Sequence, residues 1–199
     1  CQTHLTEKLN DKYKIPTRAD NPFPTDYCVD NDISEPLDDE CASFFQHIIG
    51  VMRWMVELGR VDIAVEVSLL SSYLAYPREG HLEAALHIMG YLRLKHNSRL
   101  IFDPSYPDIC DDDFPQFDWT EFYGDVTEAI PTDMPPPLGK AVDIRMMVDS
   151  DHAGDKRTRR SRTGFLIFCN MALIVWLSKR QPTIETSVFG AEFVAMKHG

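Results

Sequence analysis

The five cysteines of this 199-residue chain, Cys1, Cys28, Cys41, Cys110 and Cys169, never stand as Cys-x-x-Cys, and no histidine spacing completes a zinc set. That excludes a zinc site built on such spacing. The odd, scattered count fits reduced thiols in the cytoplasm or nucleus better than a secreted chain. No basic segment followed by an apolar one opens the chain, so no secretion signal is read. The apolar run over residues 165–177 is interrupted by Asn170 and too short to cross a bilayer, so no membrane partner is expected. Lys and Arg are wholly missing from residues 108–133, where nine carboxylates accumulate.

What is present is a sizeable apolar complement, 44% of residues with 11 Phe and 3 Trp, enough for a packed core. The formal charge of −11 argues against nucleic acid as a partner on average, but the charge is segregated. Lys156, Arg157, Arg159, Arg160 and Arg162 place five cations in seven positions. Such a patch can hold a phosphate backbone while the rest of the chain is acidic; the same run also reads as a solvated loop. The chain opens on Cys1 rather than Met, as a piece of a longer reading frame or a processed product would.

Four stretches follow from the patterning. Residues 1–40 are polar and rich in Pro and Asp, and read as an extended surface lead. Residues 41–102 read as a helical segment. In its first helix Phe44, Phe45, Ile48, Ile49, Met52, Met55 and Val56 recur at helical spacing after an acidic first turn, and Gly59 is the stop. A second helix spans about 62–73, with Ile63, Val67 and Leu70 on one face. A third spans about 79–94, with Leu82, Leu86, Met89 and Arg93 on one side. Residues 98–102 read as a short strand, and His81, His87 and His96 as solvent-facing or capping side chains. Residues 103–140 form an acidic Pro-rich linker, in which Phe114, Phe117, Trp119, Phe122 and Tyr123 are expected to pin against a neighbour.

From 141 to 199 the period changes to two: Val142, Ile144, Met146 and Val148 alternate with Asp143, Arg145, Met147 and Asp149. Strands over 163–169 and 172–177 follow, with Asn170 and Met171 as a tight turn. A helix over 187–197 is expected to bury Phe189, Phe193 and Met196. The predicted class is α+β. Asp149 and Asp151 fall on one side of an extended strand, if the strand continues that far, and Glu192 can approach from the last helix. Carboxylates suit a hard divalent cation, and hydrolysis of a phosphodiester by two such ions needs several of them. As residues alone, the two aspartates read equally as a solvated strand end and Glu192 as a surface helix residue.

Four ordered blocks carry a resemblance: residues 148–155 (Val-Asp-Ser-Asp-His-Ala-Gly-Asp), 159–164 (Arg-Arg-Ser-Arg-Thr-Gly), 176–181 (Trp-Leu-Ser-Lys-Arg-Gln) and 191–193 (Ala-Glu-Phe). Together they resemble the ribonuclease H region of copia-type retrotransposon polyproteins. The stretch from Arg60 through Pro77 and His81 to Leu92 is similar to the segment joining the reverse transcriptase to that region. The resemblance covers about residues 40–199 and implies a truncated ribonuclease H-like sheet, three antiparallel strands and a first helix. It implies Asp149 and Glu192 as catalytic carboxylates and as metal ligands with Asp151, for Mg2+ or Mn2+ in the complete domain. It implies Lys156, Arg157, Arg159, Arg160, Arg162 and Ser187 as contacts to an RNA–DNA hybrid, with the remainder of the parent polyprotein as a further partner. Trp176 and Phe193 are read as core aromatics.

Departures accompany the match. The family's remaining catalytic aspartates would fall beyond Gly199, and no Tyr-x-Asp-Asp polymerase motif is present. The parent activity implied is divalent-metal-dependent hydrolysis of RNA in RNA–DNA hybrids, with the 199 residues themselves inactive. Two alternatives stand beside it: a non-catalytic nucleic-acid-binding or structural remnant using the basic patch, and an unrelated α/β protein whose charge runs are surface decoration.

Overall fold

The computed structural model describes residues 15, 19–109, 117–126, 129 and 131–199. Cys1, Cys110, Phe114 and part of the acidic run read from the sequence lie outside the described residues. Helix α1 (Asp39–Glu57) starts where the Asp38 carboxylate accepts the Cys41 N–H at 2.8 Å, a side-chain N-cap, with Asp39 and Glu40 in the first turn. It ends at Gly59, whose φ of 112° belongs to the left-handed region that glycine enters without penalty. The apolar stripe read from the sequence is its packed face: Phe45, Ile48, Ile49, Met52 and Met55 are buried, with Phe44, Val51 and Val56 against them.

The second predicted helix is split into a 3-10 turn (Val61–Ile63), α2 (Ala64–Leu70) and a further 3-10 turn (Ser71–Tyr73), and it buries Ile63, Val67 and Leu70 as expected. Helix α3 (Glu79–Leu94) matches its predicted span. Its buried stripe takes in the expected Met89 and its neighbours Ala85 and Leu92, together with Ala84 and Ile88, while Leu82 and Leu86 are only partly inside and Arg93 is exposed. Of the two readings for His81, capping holds and solvent-facing does not, since its ring is 1% exposed. Its Nδ1 accepts the Arg78 N–H at 3.1 Å, so the proton sits on Nε2, 3.4 Å from the Val29 carbonyl. The ring therefore caps α3 from within the core, between Phe45 and Tyr73.

The lead, expected at the surface, is partly inside. A 3-10 turn (Val29–Asn31) buries Val29, and Phe23, Tyr27 and Leu37 pack on the helical core. A bridge between Pro36 and Arg78 ties it to the start of α3. Residues 98–102 are not a strand; they have no partner strand, and Ile101 and Phe102 stand in solvent. The linker aromatics Phe117, Trp119, Phe122 and Tyr123 pack on one another around a single turn, α4 (Thr120–Tyr123), and stay exposed instead of pinning to a neighbour.

Strands β1 (Ile144–Ser150), β2 (Arg162–Cys169) and β3 (Ala172–Arg180) form an antiparallel meander in the order β1-β2-β3, so the described part is α+β. The β2–β3 turn is Asn170 and Met171, with Asn170 at φ 54° and its side chain receiving the Asp143 N–H and donating to the Pro104 carbonyl. Helix α5 (Val188–His198) closes the fold against β1 and β2. Its predicted burial is overturned. Phe189, Phe193 and Met196 are 79%, 61% and 63% exposed, while Ala191 and Ala195 are fully buried. A four-residue pair of alanines lets the helix axis approach the sheet closely, which turns the large side chains outward. Phe193, read as core, stacks on Phe189 in solvent instead. Trp176 is half-buried and holds sheet to helices, its Nε1 donating to the Val56 carbonyl at 3.1 Å.

Candidate nucleic-acid interface

Directly opposed residues in an antiparallel pair share a sheet face. Asp149 is opposite Gly164, which is opposite Ser178; Met147, Leu166 and Trp176 form the next row. That face turns to the α1 and α2 layer, because Trp176 on it donates through Nε1 to the Val56 carbonyl at 3.1 Å, and Val61, Ala64 and Val65 line a shallow recess with Asp149. The other face carries Met146, Ile167, Phe165 and Thr163. Helix α5 covers it: Gln181 donates through Nε2 both to Thr163 Oγ1 at 3.1 Å and to the Ala191 carbonyl at 2.9 Å. Glu192 sits on that helix, half-buried, one turn beyond Ser187. Asp149 and Glu192 thus belong to opposite faces of one small sheet.

Asp151 lies just past the end of β1. Its N–H donates to the Arg162 carbonyl, and its carboxylate accepts the Arg162 N–H in return. Its other oxygen occupies the space beside Gly154, where a Cβ would come within 2.0 Å of it. The side chain therefore closes the loop that joins β1 to β2. Ser187 is the N-cap of α5, accepting the Gly190 N–H at 3.0 Å. Among the described residues no group of three or more His, Cys, Asp or Glu side chains is placed to hold a metal ion. As placed, Asp149, Asp151 and Glu192 do not make up a ligand set for a divalent cation, and no step is derived through one.

The five cations of the loop do not form one patch. Asp155 organises the loop, accepting the N–H groups of Arg157 at 3.0 Å and Thr158 at 2.9 Å and pairing with Arg180 at 2.8 Å. Burial pushes its carboxyl up, but the Thr158, Arg180 and Arg157 hydrogen bonds prevail and hold it at about 2. Lys156, Arg157 and Arg159 are exposed, with the Lys156 N–H on Asp30 and the Arg157 guanidinium 6.0 Å over the Tyr73 ring. Arg160 and Arg162 turn inward: Arg162 donates to the Ser68 hydroxyl, and Arg160 reaches a cleft of about 540 Å³ between α1, α2 and β3. Arg53, Ser68, Ser72, Lys179 and Arg180 line the same cleft; none of them has a site role by sequence, although Lys179 and Arg180 fall in the 176–181 block. The contact of Ser68 with β3, 110 positions away, had no signal in the sequence.

Among curated proteins the chain is 26% identical over 151 residues to the retrovirus-related Pol polyprotein from transposon TNT 1-94 of Nicotiana tabacum, covering 76% of this chain and 9% of that one. It is 44% identical over 48 residues to a putative transposon Ty5-1 protein of Saccharomyces cerevisiae, 24% of this chain and 16% of the other. It is also 26% identical over 149 residues to secreted RxLR effector protein 161 of Plasmopara viticola, 74% of this chain and 80% of that protein. The chain spans less than a quarter of the length of the first two curated relatives it matches. No family model matches, and no solved structure matches. These similarities, at low identity, support a retrotransposon-derived protein. No described helix is long and apolar enough to cross a membrane.

Proposed function

We propose that this chain derives from the copia-type polyprotein segment that runs from the reverse transcriptase connection into ribonuclease H, and that it binds RNA–DNA hybrid without cutting it. The parent activity would be hydrolysis of the RNA strand with Mg2+ or Mn2+ in the complete domain, within the cytoplasm or nucleus. The observation that carries the non-catalytic half is the β1–β2–β3 register, which sets Asp149 on the α2 face and α5 with Glu192 on the other. Asp151 adds to it, because its carboxylate is committed to the Arg162 N–H. The binding half rests on three exposed cations, Lys156, Arg157 and Arg159, held on a loop that Asp155 and Asp30 fix in shape.

Incubating the chain with a labelled RNA–DNA hybrid in Mg2+ or Mn2+ tests the non-catalytic half. No RNA cleavage is expected, alongside binding that weakens as salt rises. Metal-dependent turnover that disappears in Asp149→Asn would refute it.

A further inference from the structure

The cleft between α1, α2 and β3 has the composition of an anion site. Its lining holds four cations, Arg53, Arg160, Lys179 and Arg180, against one carboxylate, Glu57. Arg180 is committed to Asp155, and Lys179, opposite Thr163, belongs to the α5 face, but the Arg53 side chain is exposed and has no ion-pair or hydrogen-bond partner among the described residues. The Nε of Arg160 is buried without a partner, a donor that an incoming acceptor would satisfy. Ser72 adds a hydroxyl whose present bond to the Ser68 carbonyl, at 3.5 Å, is long enough to exchange for a better acceptor. The walls are stiff: Trp176 is anchored on the Val56 carbonyl and Ser68 on the Ser178 carbonyl.

We infer that this cleft takes the sugar–phosphate backbone of a nucleic-acid strand. The inference rests on the hybrid-binding reading above and extends it to a second contact region. A strand fits better than a lone phosphate because the cations are spread along a path. Lys156, Arg157 and Arg159 stand exposed on the loop that leads to Arg160, and Arg160, Arg180 and Arg53 of α1 line the cleft together. Repeated charge along a path matches a repeated anion, and each neutralised phosphate releases counterions.

The test compares the full chain with two double variants, Arg53→Gln/Arg160→Gln in the cleft and Arg157→Gln/Arg159→Gln on the outer turn. Binding of a short fluorescein-labelled RNA–DNA hybrid is followed by anisotropy across a salt series. Removing two phosphate contacts lowers the slope of log K against log salt by about 1.8 in magnitude, and the cleft variant is expected to show that loss with a several-fold weaker affinity. A cleft variant with the parent slope beside a weakened outer-turn variant overturns the cleft and leaves hybrid binding standing. A parent chain that does not bind the hybrid removes both. Inorganic phosphate displacing the hybrid at constant ionic strength would replace the strand by a single-anion pocket. Hydrogen exchange on the unsubstituted chain gives a reading independent of any variant's folding. Slower exchange at residues 68–72 and 176–181 on adding hybrid is expected, and unchanged exchange there counts against the proposal.

Discussion

Single carboxylates and one imidazole carry the local order of this molecule, and two of them set its response to pH. Asp155 has an ordinary carboxyl value near 3.8 that falls to about 2, so its contribution to stability is complete above about pH 4 and is lost as pH drops towards 2. Replacing it with Ala removes two backbone caps and the Arg180 pair, costing about 2 kcal/mol at neutral pH by the usual worth of charge-assisted bonds. Thermal melts of parent and Asp155→Ala between pH 6 and 3 should show the gap narrowing only at the acid end. His81 also costs stability on acidification, through a different mechanism and at higher pH. Burial holds its imidazole below the ordinary value of 6.5, so protonation favours the unfolded chain and stability falls as pH drops below that point. His81→Gln, which keeps an acceptor for the Arg78 N–H, should flatten the profile between pH 7 and 5. A His81→Gln profile as steep there as the parent's would remove the ring from the explanation.

At the scale of elements, α5 separates hydrophobicity from burial. Ala191 and Ala195 touch the sheet, so Ala195→Leu should overpack that contact and destabilise by about 1–3 kcal/mol. Phe193→Ser, on the solvent side, should stay within about 0.5 kcal/mol. Urea titrations followed by circular dichroism would rank the two, and the opposite order would mean the helix packs on its aromatic face. This element also marks where sequence reasoning gave out. Helices α1 and α3 were legible because their stripes are made of large apolar residues at helical spacing, as in Phe45, Ile48, Ile49 and Met52. The strands were legible from the alternation through Met146 and Val148 and from the Asn170–Met171 turn. The face of α5 was not, because hydropathy ranks Phe above Ala while close approach to a sheet favours the smaller side chain. Residues 98–102 had strand-like composition, yet pairing is a property of a partner, and none is there. The basic run was legible as charge; its division into outward Lys156, Arg157 and Arg159 and inward Arg160 and Arg162 depends on Asp155 and Ser68.

For the whole molecule, the weight of the core lies in α1, α2, α3 and the lead, where nearly all the large buried side chains cluster. The meander contributes small or polar interior groups, Ser161, Thr163, Ala172 and Gln181, and leaves most of its large residues half-covered. Native-state hydrogen exchange should therefore find the amides of residues 45–55 slower than those of residues 144–150, with the sheet opening before the helices. Equal protection across both would mean that the Trp176 and Ser68 ties suffice to couple them. One consequence follows from β1 as an edge strand, since no strand among the described residues pairs with its far side. Its row of unanswered peptide groups, beside the stacked Phe189 and Phe193, is a template for another chain's backbone, and no proline blocks it. Purified at high concentration, the protein should form oligomers that grow faster as salt screens its −11 charge, the reverse of the salt response expected of the proposed hybrid binding.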